Sequence, residues 1–176
     1  MSIIKMVSMA PNTQRYDYTY KYTDLCKKEN APEEYTGTIF NLLEKDKRFT
    51  RTIQIIKTGR LKDELTKPPV RNGFTLFVTE DGNIPDHYMN NLDVFRAEVL
   101  INSYLLPGVA SKEYLIENGS AIYMPKKYHY NNPLIVEVND AGEVLVNKVG
   151  KVKETISATN GYIHVLDNLA DVSYIN

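Results

Sequence analysis

A segment near the C-terminus, Ala158–Leu169, constrains the fold more strongly than any other part of the chain. It places a tight Asn160-Gly161 turn directly before an apolar run of strand length, Tyr162–Leu166. Asn-Gly suits a turn because glycine reaches positive φ without a clash at Cβ, and asparagine tolerates that region better than most residues. In the run, β-branched side chains alternate with Tyr, His and Leu, so both faces are expected to be covered. We therefore predict a core strand at this position.

The same segment carries a histidine and an aspartate three residues apart, which raises the question of catalysis. His164, Asp167 and a serine, either Ser157 or Ser173, are the residue types of an acyl-transfer triad. Residues three apart on a strand point to opposite faces, however, and the sequence contains no Gly-x-Ser-x-Gly nucleophile motif. We predict no catalytic residues. His164 is expected to be a hydrogen-bonded core imidazole, and Asp167 is expected to bind the amides of a turn.

The segment resembles the C-terminal signature of the fasciclin domain, a family of adhesion and interaction modules. That signature reads roughly Asn-Gly-apolar-Ile-His-apolar-apolar-Asp. The residues that match it are Asn160, Gly161, Ile163, His164, Val165, Leu166 and Asp167. The resemblance implies a wedge-shaped β-sandwich with several helices packed on one side, and it implies structural roles for the matched residues.

A second segment is similar to the first signature of the family, which reads Thr-apolar-Phe-apolar-Pro-Thr-Asp followed by an aromatic residue. Thr75, Phe77 and Asp81 match this signature, whereas Thr79, Glu80 and Ile84 occupy positions where the family has Pro, Thr and an aromatic residue. Asp81 follows a predicted strand, and an aspartate in this place readily accepts hydrogen bonds from backbone amides two residues further on. We therefore expect it to bind amides.

A third segment corresponds to the middle of the family domain, where a Tyr-His pair usually precedes an apolar-apolar-Pro-Gly turn. The chain keeps the turn at Pro107-Gly108 but has Ser103-Tyr104 before it. The resemblance implies that the Tyr-His pair missing here belongs to the part of the family domain that is linked with receptor adhesion. The resemblance as a whole runs from about Thr38 to Leu169.

The remaining elements predict an α+β fold. Thr38 is expected to begin a helix that continues at helical spacing to Gly59, and Asp93 and Ser111 are expected to cap two more helices. One strand is predicted between the first and second helices, and after the third helix the chain changes to strands connected by turns. The predicted strands are Phe74–Val78, Ala121–Met124, Leu134–Val138, Glu143–Val146 and Lys151–Ile156. Helices followed by a run of antiparallel strands are typical of the α+β class.

The composition limits the partners. The chain has 176 residues, of which 43% are hydrophobic, enough to bury the core of one domain with an appendage. Its formal net charge is −1 and no basic block occurs, which argues against a nucleic-acid partner. The single cysteine, Cys26, excludes an intrachain disulfide framework, and no Cys/His cluster has metal-site spacing. We expect no cofactor, no metal and no nucleic acid.

The N-terminal sequence bears on localisation. Residues Met1–Ala10 contain one lysine and a short mixed apolar run, which is too weak for a secretory signal. No stretch approaches the roughly 20 apolar residues of a membrane helix. We therefore expect no membrane span and synthesis without export. The alternative is that a signal has been removed. The Asn118-Gly119-Ser120 sequon would accept N-glycosylation only in an exported chain.

We divide the chain into an N-terminal arm, residues 1–37, and a fasciclin-like domain, residues 38–176. Tyrosines alternate in the arm, and this pattern predicts a strand with one tyrosine-rich face. That strand either lies on the domain itself or docks on another molecule by β-augmentation, and the third alternative is that the segment is disordered. A basic-aromatic run further on is either a solvated hairpin end or a contact for a carboxylate-rich partner. The candidate partner contacts are Tyr16, Tyr18, Tyr20, Tyr22, Lys126, Lys127, Tyr128 and Tyr130.

These observations favour a non-catalytic protein–protein interaction module. Because a fasciclin-like chain made without a signal is unusual, the first expectation is a small structural part of a large assembly, such as a cement or minor capsid protein of a virion. The alternative is a cell-surface or extracellular matrix adhesion domain expressed without its leader. Either function requires protein partners.

Overall fold

The computed structural model describes residues 5–7, 37–67, 73–125 and 133–169, the first of these by their backbone. The helices in these ranges are α1 (Ile39–Lys45), α2 (Thr50–Thr58), α3 (Lys62–Thr66), α4 (Asp86–Asn90), α5 (Val94–Ser103) and α6 (Lys112–Asn118). Short 3-10 turns lie at Lys47–Phe49 and Asp81–Asn83. The strands are β1 (Lys5–Val7), β2 (Phe74–Thr79), β3 (Leu105–Pro107), β4 (Ala121–Tyr123), β5 (Leu134–Val138), β6 (Val144–Val146), β7 (Gly150–Ala158) and β8 (Gly161–Leu166). The predicted α+β class is confirmed.

The strands of the described ranges follow the order β1-β4-β5-β6-β7-β8-β2-β3. The long strand β7 joins two halves of this arrangement. Its first residues pair with β6, at Leu145↔Lys151, and its remainder pairs with β8 up to Ala158↔Gly161. An irregularity in the β7–β8 register lies between Val152 and Glu154. Such a bulge increases the local bend, which lets one strand serve both halves.

The predicted run of antiparallel strands is confirmed for β4–β7, whereas β8 also forms a parallel pair. This strand pairs with β7 in the antiparallel sense, but it pairs with β2 in parallel along the whole of β2, with Phe77 opposite His164. A parallel pair needs a long connection, and here all of α4–α6 and β3–β7 lies between the two strands. The first and last family signatures therefore lie side by side at the centre of the fold.

The core lies between these central strands and the helices. All six residues of β8 are buried, as expected for a strand that is covered on both faces. From the helices, Ile39, Leu43, Ile56 and Leu100 contribute to the same buried cluster. The helices begin as the sequence predicts, because the side chains of Thr38, Asp93 and Ser111 accept the amides of Asn41, Arg96 and Tyr114.

The predicted continuous helix from Thr38 to Gly59 is broken at Asp46. The Asp46 side chain accepts a hydrogen bond of 3.0 Å from the backbone N–H of Arg48, and this bond starts the 3-10 turn before α2. Aspartate disfavours helix interiors because its carboxylate offers neighbouring amides such an alternative. The hydrophobic spacing continues across the break, and for that reason the pattern alone did not reveal it.

Residues 5–7, which the sequence analysis assigns to the arm, form β1 and pair in parallel with β4. The candidate contacts Tyr16, Tyr18, Tyr20, Tyr22, Lys126, Lys127, Tyr128 and Tyr130 lie outside the described residues.

Candidate functional site

The Asn160-Gly161 turn connects two helices to the central strands. The Oδ1 atom of Asn160 accepts the backbone N–H of Ile39, 2.8 Å away, at the start of α1. Its Nδ2 donates to the carbonyl oxygens of Leu65 and Lys67, at 2.9 and 3.2 Å, where α3 ends. Asn160 is 1% exposed, and both Nδ2 hydrogens are used. The side chain therefore satisfies helix-end groups that no intrahelical partner can reach.

Gly161 allows β2 to approach the same turn. The backbone N–H of Phe74 donates to the carbonyl of Asn160 at 2.9 Å. Gly161 has a φ of 150°, and a Cβ placed on it would lie 1.7 Å from the carbonyl oxygen of Phe74. Both features exclude a side chain at this position.

His164 is fully buried and both ring nitrogens have partners. Its Nε2 lies 2.7 Å from the carbonyl oxygen of Ala110, and its Nδ1 lies 3.0 Å from the Thr155 hydroxyl. A carbonyl only accepts, so Nε2 carries the proton and Nδ1 accepts from Thr155. The ring is parallel to that of Tyr162, and Phe77 packs beside it at 5.3 Å. Burial lowers the pKa of His164 to about 4, which keeps the imidazole neutral near pH 7.

Ala110 is the point at which all three family signatures meet. Its carbonyl accepts from His164, and its backbone N–H donates to the Thr75 hydroxyl at 2.7 Å. The Thr75 hydroxyl in turn donates to the carbonyl of Gly108 at 2.8 Å. Pro107 continues the arrangement, since it pairs with Phe74 across β2 and β3. The loop after β3 is thus fixed by side chains from the first and last signatures.

Asp81 caps a helix that is distant in sequence. Its two carboxylate oxygens accept the backbone N–H groups of Thr50 and Arg51, at 3.2 and 2.7 Å, in the first turn of α2. The expectation that Asp81 binds amides is met, but its partners lie about thirty residues earlier in the chain instead of two residues later. A carboxylate is favourable here because the helix N-terminus carries unpaired N–H groups and a partial positive charge.

We expect Asp81→Ala to lower the free energy of unfolding by about 1–2 kcal/mol, because it removes this cap. Denaturant unfolding monitored by circular dichroism measures the loss. Asp86→Ala is the matched control, since the Asp86 carboxylate contacts only the side chain of Arg51 in this region and its side chain is 81% exposed. That control should change stability by less than about 0.5 kcal/mol. Equal losses in the two variants would contradict the cap.

Asp167 and His164 do not contact each other. The Asp167 carboxylate accepts the backbone N–H of Lys151 at 2.8 Å, and its own N–H donates to the Lys151 carbonyl at 2.9 Å. Asp167 is exposed, whereas His164 is buried and bound to Thr155 and Ala110. The arrangement ties the end of β8 to the start of β7, and it does not bring the carboxylate to the imidazole.

A charged cluster lies on the surface where β2 and β7 approach the 3-10 turn after α1. Arg48 contacts Asp46 and Glu154 at 2.8 Å and Glu80 at 3.4 Å, and Lys153 contacts Glu80 at 2.9 Å. The hydrogen bond from Arg48 lowers the pKa of Asp46, and the one from Lys153 lowers the pKa of Glu80. Because both signs of charge are paired within the cluster, it is not arranged to attract a strongly charged ligand.

Few large apolar side chains are exposed on the part of the surface that the structure describes. Among the large hydrophobic residues of the described ranges, Phe95 in α5 is the most exposed, at 66%, and Val94 is its neighbour. A small, largely apolar cavity of about 30 Å³ lies between α2, α5 and the end of β2 and is lined by residues such as Ile55, Val78 and Ile101. It holds no more than a water or two.

The part of the chain that the structure describes contains neither a metal-binding cluster nor a membrane-spanning helix. No group of three or more His, Cys, Asp or Glu side chains is placed to hold a metal ion. Within the same ranges, every helix is too short or too polar to cross a membrane.

Comparisons with known proteins agree with this arrangement. A family model described as the fasciclin domain matches residues 47–170. Periostin from Homo sapiens is 29% identical over 139 residues, which are 72% of this chain and 15% of that protein. A solved structure, a FAS1 domain pair from the insect cell adhesion molecule fasciclin I, superposes with a TM-score of 0.65 at 20% identity. That match covers 83% of this chain and 53% of the other, so the chain spans only part of either relative.

Proposed function

The chain belongs to the fasciclin domain family, as its signatures predicted, and on that premise we propose that it is an adhesion module acting at the cell surface or in the extracellular space. The observation that carries this proposal is the family match, which includes all three signature regions. The fasciclin fold is present in the described residues, and the solved structure that resembles it comes from a cell adhesion molecule.

The geometry supports a binding role without catalysis. The polar side chains of the signatures hold helix ends, turns and a loop, as Asn160, Asp81, Thr75 and His164 each do. Groups that are committed to backbone atoms of the domain itself are unavailable to a substrate. Binding is therefore assigned to the outer surface of the domain.

The comparisons favour the adhesion alternative over the virion component that the sequence suggested first. Fasciclin I is described as an insect cell adhesion molecule, and neither named relative is described as part of a virion or capsid. The capsid prediction rested mainly on the absence of a recognisable secretory signal in residues Met1–Ala10. The adhesion proposal rests on the family and on the fold, and it does not depend on where the chain begins.

Partner contact is assigned in part to the tyrosine-rich face of the arm. Tyr16, Tyr18, Tyr20 and Tyr22 alternate with polar residues, and a tyrosine ring gains contact area while its hydroxyl keeps a hydrogen bond. Phe95 is a further proposed contact. Its ring is exposed at the start of α5, and the sequence alone did not identify it as a contact residue. Lys126, Lys127, Tyr128 and Tyr130 complete the set of proposed contacts.

We expect intact cells or extracellular matrix to bind saturably to a surface coated with the chain, and the unattached chain to compete. Replacing Tyr16, Tyr18, Tyr20 and Tyr22 together by serine should reduce attachment at least about fivefold, because interface tyrosines often carry much of the binding energy. The melting temperature should stay the same. The effect is measured by counting attached cells, or the amount of bound matrix, at a series of coating densities.

Phe95→Ser tests the second proposed contact separately, because it leaves the four tyrosines unchanged. Loss of attachment in only one of the two variants would show which surface binds. A chain that binds no cell surface and no matrix, but co-purifies at fixed stoichiometry with an intracellular particle, would overturn the adhesion proposal and restore the assembly alternative.

A further inference from the structure

The two edges of the sheet arrangement differ in how they are protected. One edge strand, β3, ends in Pro107, and proline blocks further pairing because it has no N–H. The strand β4, at the other side, contains only Ala121, Ile122 and Tyr123 and has neither a proline nor a charge. A strand without proline or charge readily pairs with another strand when its outer edge is free. In this chain, β1 covers it.

The strand β1 lies outside the part of the chain that matches the family. It consists of Lys5–Val7, whereas the family match begins at residue 47. It pairs in parallel with β4 over three residues, from Lys5↔Ala121 to Val7↔Tyr123, and residues 8–36 separate it from Gly37. The pairing of β1 with β4 is therefore expected to be weak. Three residue pairs form few hydrogen bonds, and these must offset the conformational entropy lost when the strand is fixed and the long connection is closed.

The acceptor strand β4 also has contacts that do not involve β1. On its other side β4 pairs with β5, with Ala121 opposite Val136, and the side chains of Ala121 and Tyr123 are fully buried. Just before the strand, the Ser120 hydroxyl accepts the backbone N–H of Val138 at 3.3 Å. An edge that is fixed by its own core contacts is preorganised for a partner, which lowers the cost of binding.

We propose that the outer edge of β4 is a strand-acceptor site, where an extended segment of a partner protein replaces β1. The partner segment is uncharged at its centre, rich in β-branched and apolar residues and free of proline, which matches both the acceptor and the sequence around Lys5–Val7. The strand β1 then acts as a built-in competitor. This inference rests on the proposed function, because it assumes that the domain binds other proteins and describes one way in which it does so.

The test uses the full-length chain with Met6→Pro, which disrupts β1, and a fluorescent peptide of residues 2–9. The matched control is Met9→Pro, the same change outside the paired residues. The peptide should bind Met6→Pro at least about tenfold more tightly than the unchanged chain or the control, because the attached strand competes at millimolar effective concentration. Fluorescence anisotropy gives the affinities.

Hydrogen exchange locates the site. Those amides of Ala121–Tyr123 that point towards β1 should exchange faster in Met6→Pro and slow again when peptide is added. The amides of β8 should stay protected in every sample and so report an intact fold. If Met6→Pro does not fold, the chain lacking residues 1–7 takes its place. Equal peptide affinity for all chains, or no change at Ala121–Tyr123, would overturn the proposal.

A second peptide separates a partner strand from a second copy of this chain. An unrelated Val-Thr-Val-Thr-Val peptide should also bind Met6→Pro, since the site reads a strand pattern. Binding of the native peptide alone, together with a dimer of the unchanged chain that Met6→Pro dissociates, would assign the edge to strand exchange between copies and overturn the partner assignment. Because the assay contains no cells, failure here leaves the adhesion proposal intact, and failure of cell attachment leaves this site intact.

Discussion

Gly161→Ala is expected to prevent the chain from reaching its native fold or to destabilise that fold by more than about 4 kcal/mol, at the extreme of single substitutions. The new Cβ would lie 1.7 Å from the carbonyl oxygen of Phe74 and 2.8 Å from its carbonyl carbon. These are backbone atoms, so no rotamer change relieves the overlap. The first pair of the β2–β8 ladder, Phe74↔Gly161, would have to separate.

Two other glycines provide controls for Gly161→Ala. Gly142 has a φ of 78° but nothing within 4 Å of an added Cβ, so Gly142→Ala isolates the cost of the backbone conformation, about 1–2 kcal/mol. Gly82 has neither a positive φ nor a close neighbour, and Gly82→Ala should be nearly neutral. Denaturant unfolding of the three variants, with soluble yield as a first reading, measures the order. A Gly161→Ala chain no less stable than Gly142→Ala would contradict the close approach of Phe74.

The contrast between these glycines shows what the sequence could and could not predict. The Asn-Gly pair identified a turn and a positive φ at Gly161, because both follow from local residue chemistry. The overlap with Phe74 did not follow, since it comes from a strand more than eighty residues earlier. Local conformation could be read from neighbouring residues, whereas close approaches between distant segments could not.

The same distinction applies to the polar residues. His164 was expected to be bonded in the core, but its partners are the backbone carbonyl of Ala110 and the hydroxyl of Thr155. Every residue has a backbone carbonyl, so the sequence does not indicate that Ala110 is the partner of His164. It also contains many threonines, and nothing local distinguishes Thr155 from the others. Asp81 binds amides, although those of a distant helix, because its own strand ends beside the start of α2.

Short elements were also hard to predict. The helices α3 and α4 have five residues each and the strand β3 has three, too few to show a period in hydrophobicity. The parallel pairing of β2 and β8 depends on topology, and no local pattern encodes it. The fold class was predictable because the long, periodic elements and the signature residues agree with one another.

The stability of the protein is expected to fall by about 2–3 kcal/mol between pH 7 and pH 4.5 through His164 alone. Its pKa is lowered from 6.5 to about 4 in the fold, chiefly by burial. Between these two values the unfolded chain binds a proton that the folded chain does not. The contribution is therefore fully present above pH 6.5 and is lost as the pH falls towards 4. Burial is the largest effect and decides the sign, although the hydrogen bond to Ala110 and the charge of Glu113 raise the pKa of His164, while Lys112 lowers it.

His164→Gln is the control for this pH dependence. A glutamine amide donates and accepts hydrogen bonds as the neutral ring does, but it does not titrate. Carboxyl groups such as Asp46 and Glu80, whose pKa values are lowered by Arg48 and Lys153, respond to acid in both proteins and cancel in the comparison. Urea unfolding at pH 7, 6, 5.5, 5 and 4.5 measures the two profiles. If the free energies of unfolding of the two proteins fall in parallel with pH, the buried ring of His164 is not held neutral. The protonation state assigned to its contact with Ala110 would then be wrong.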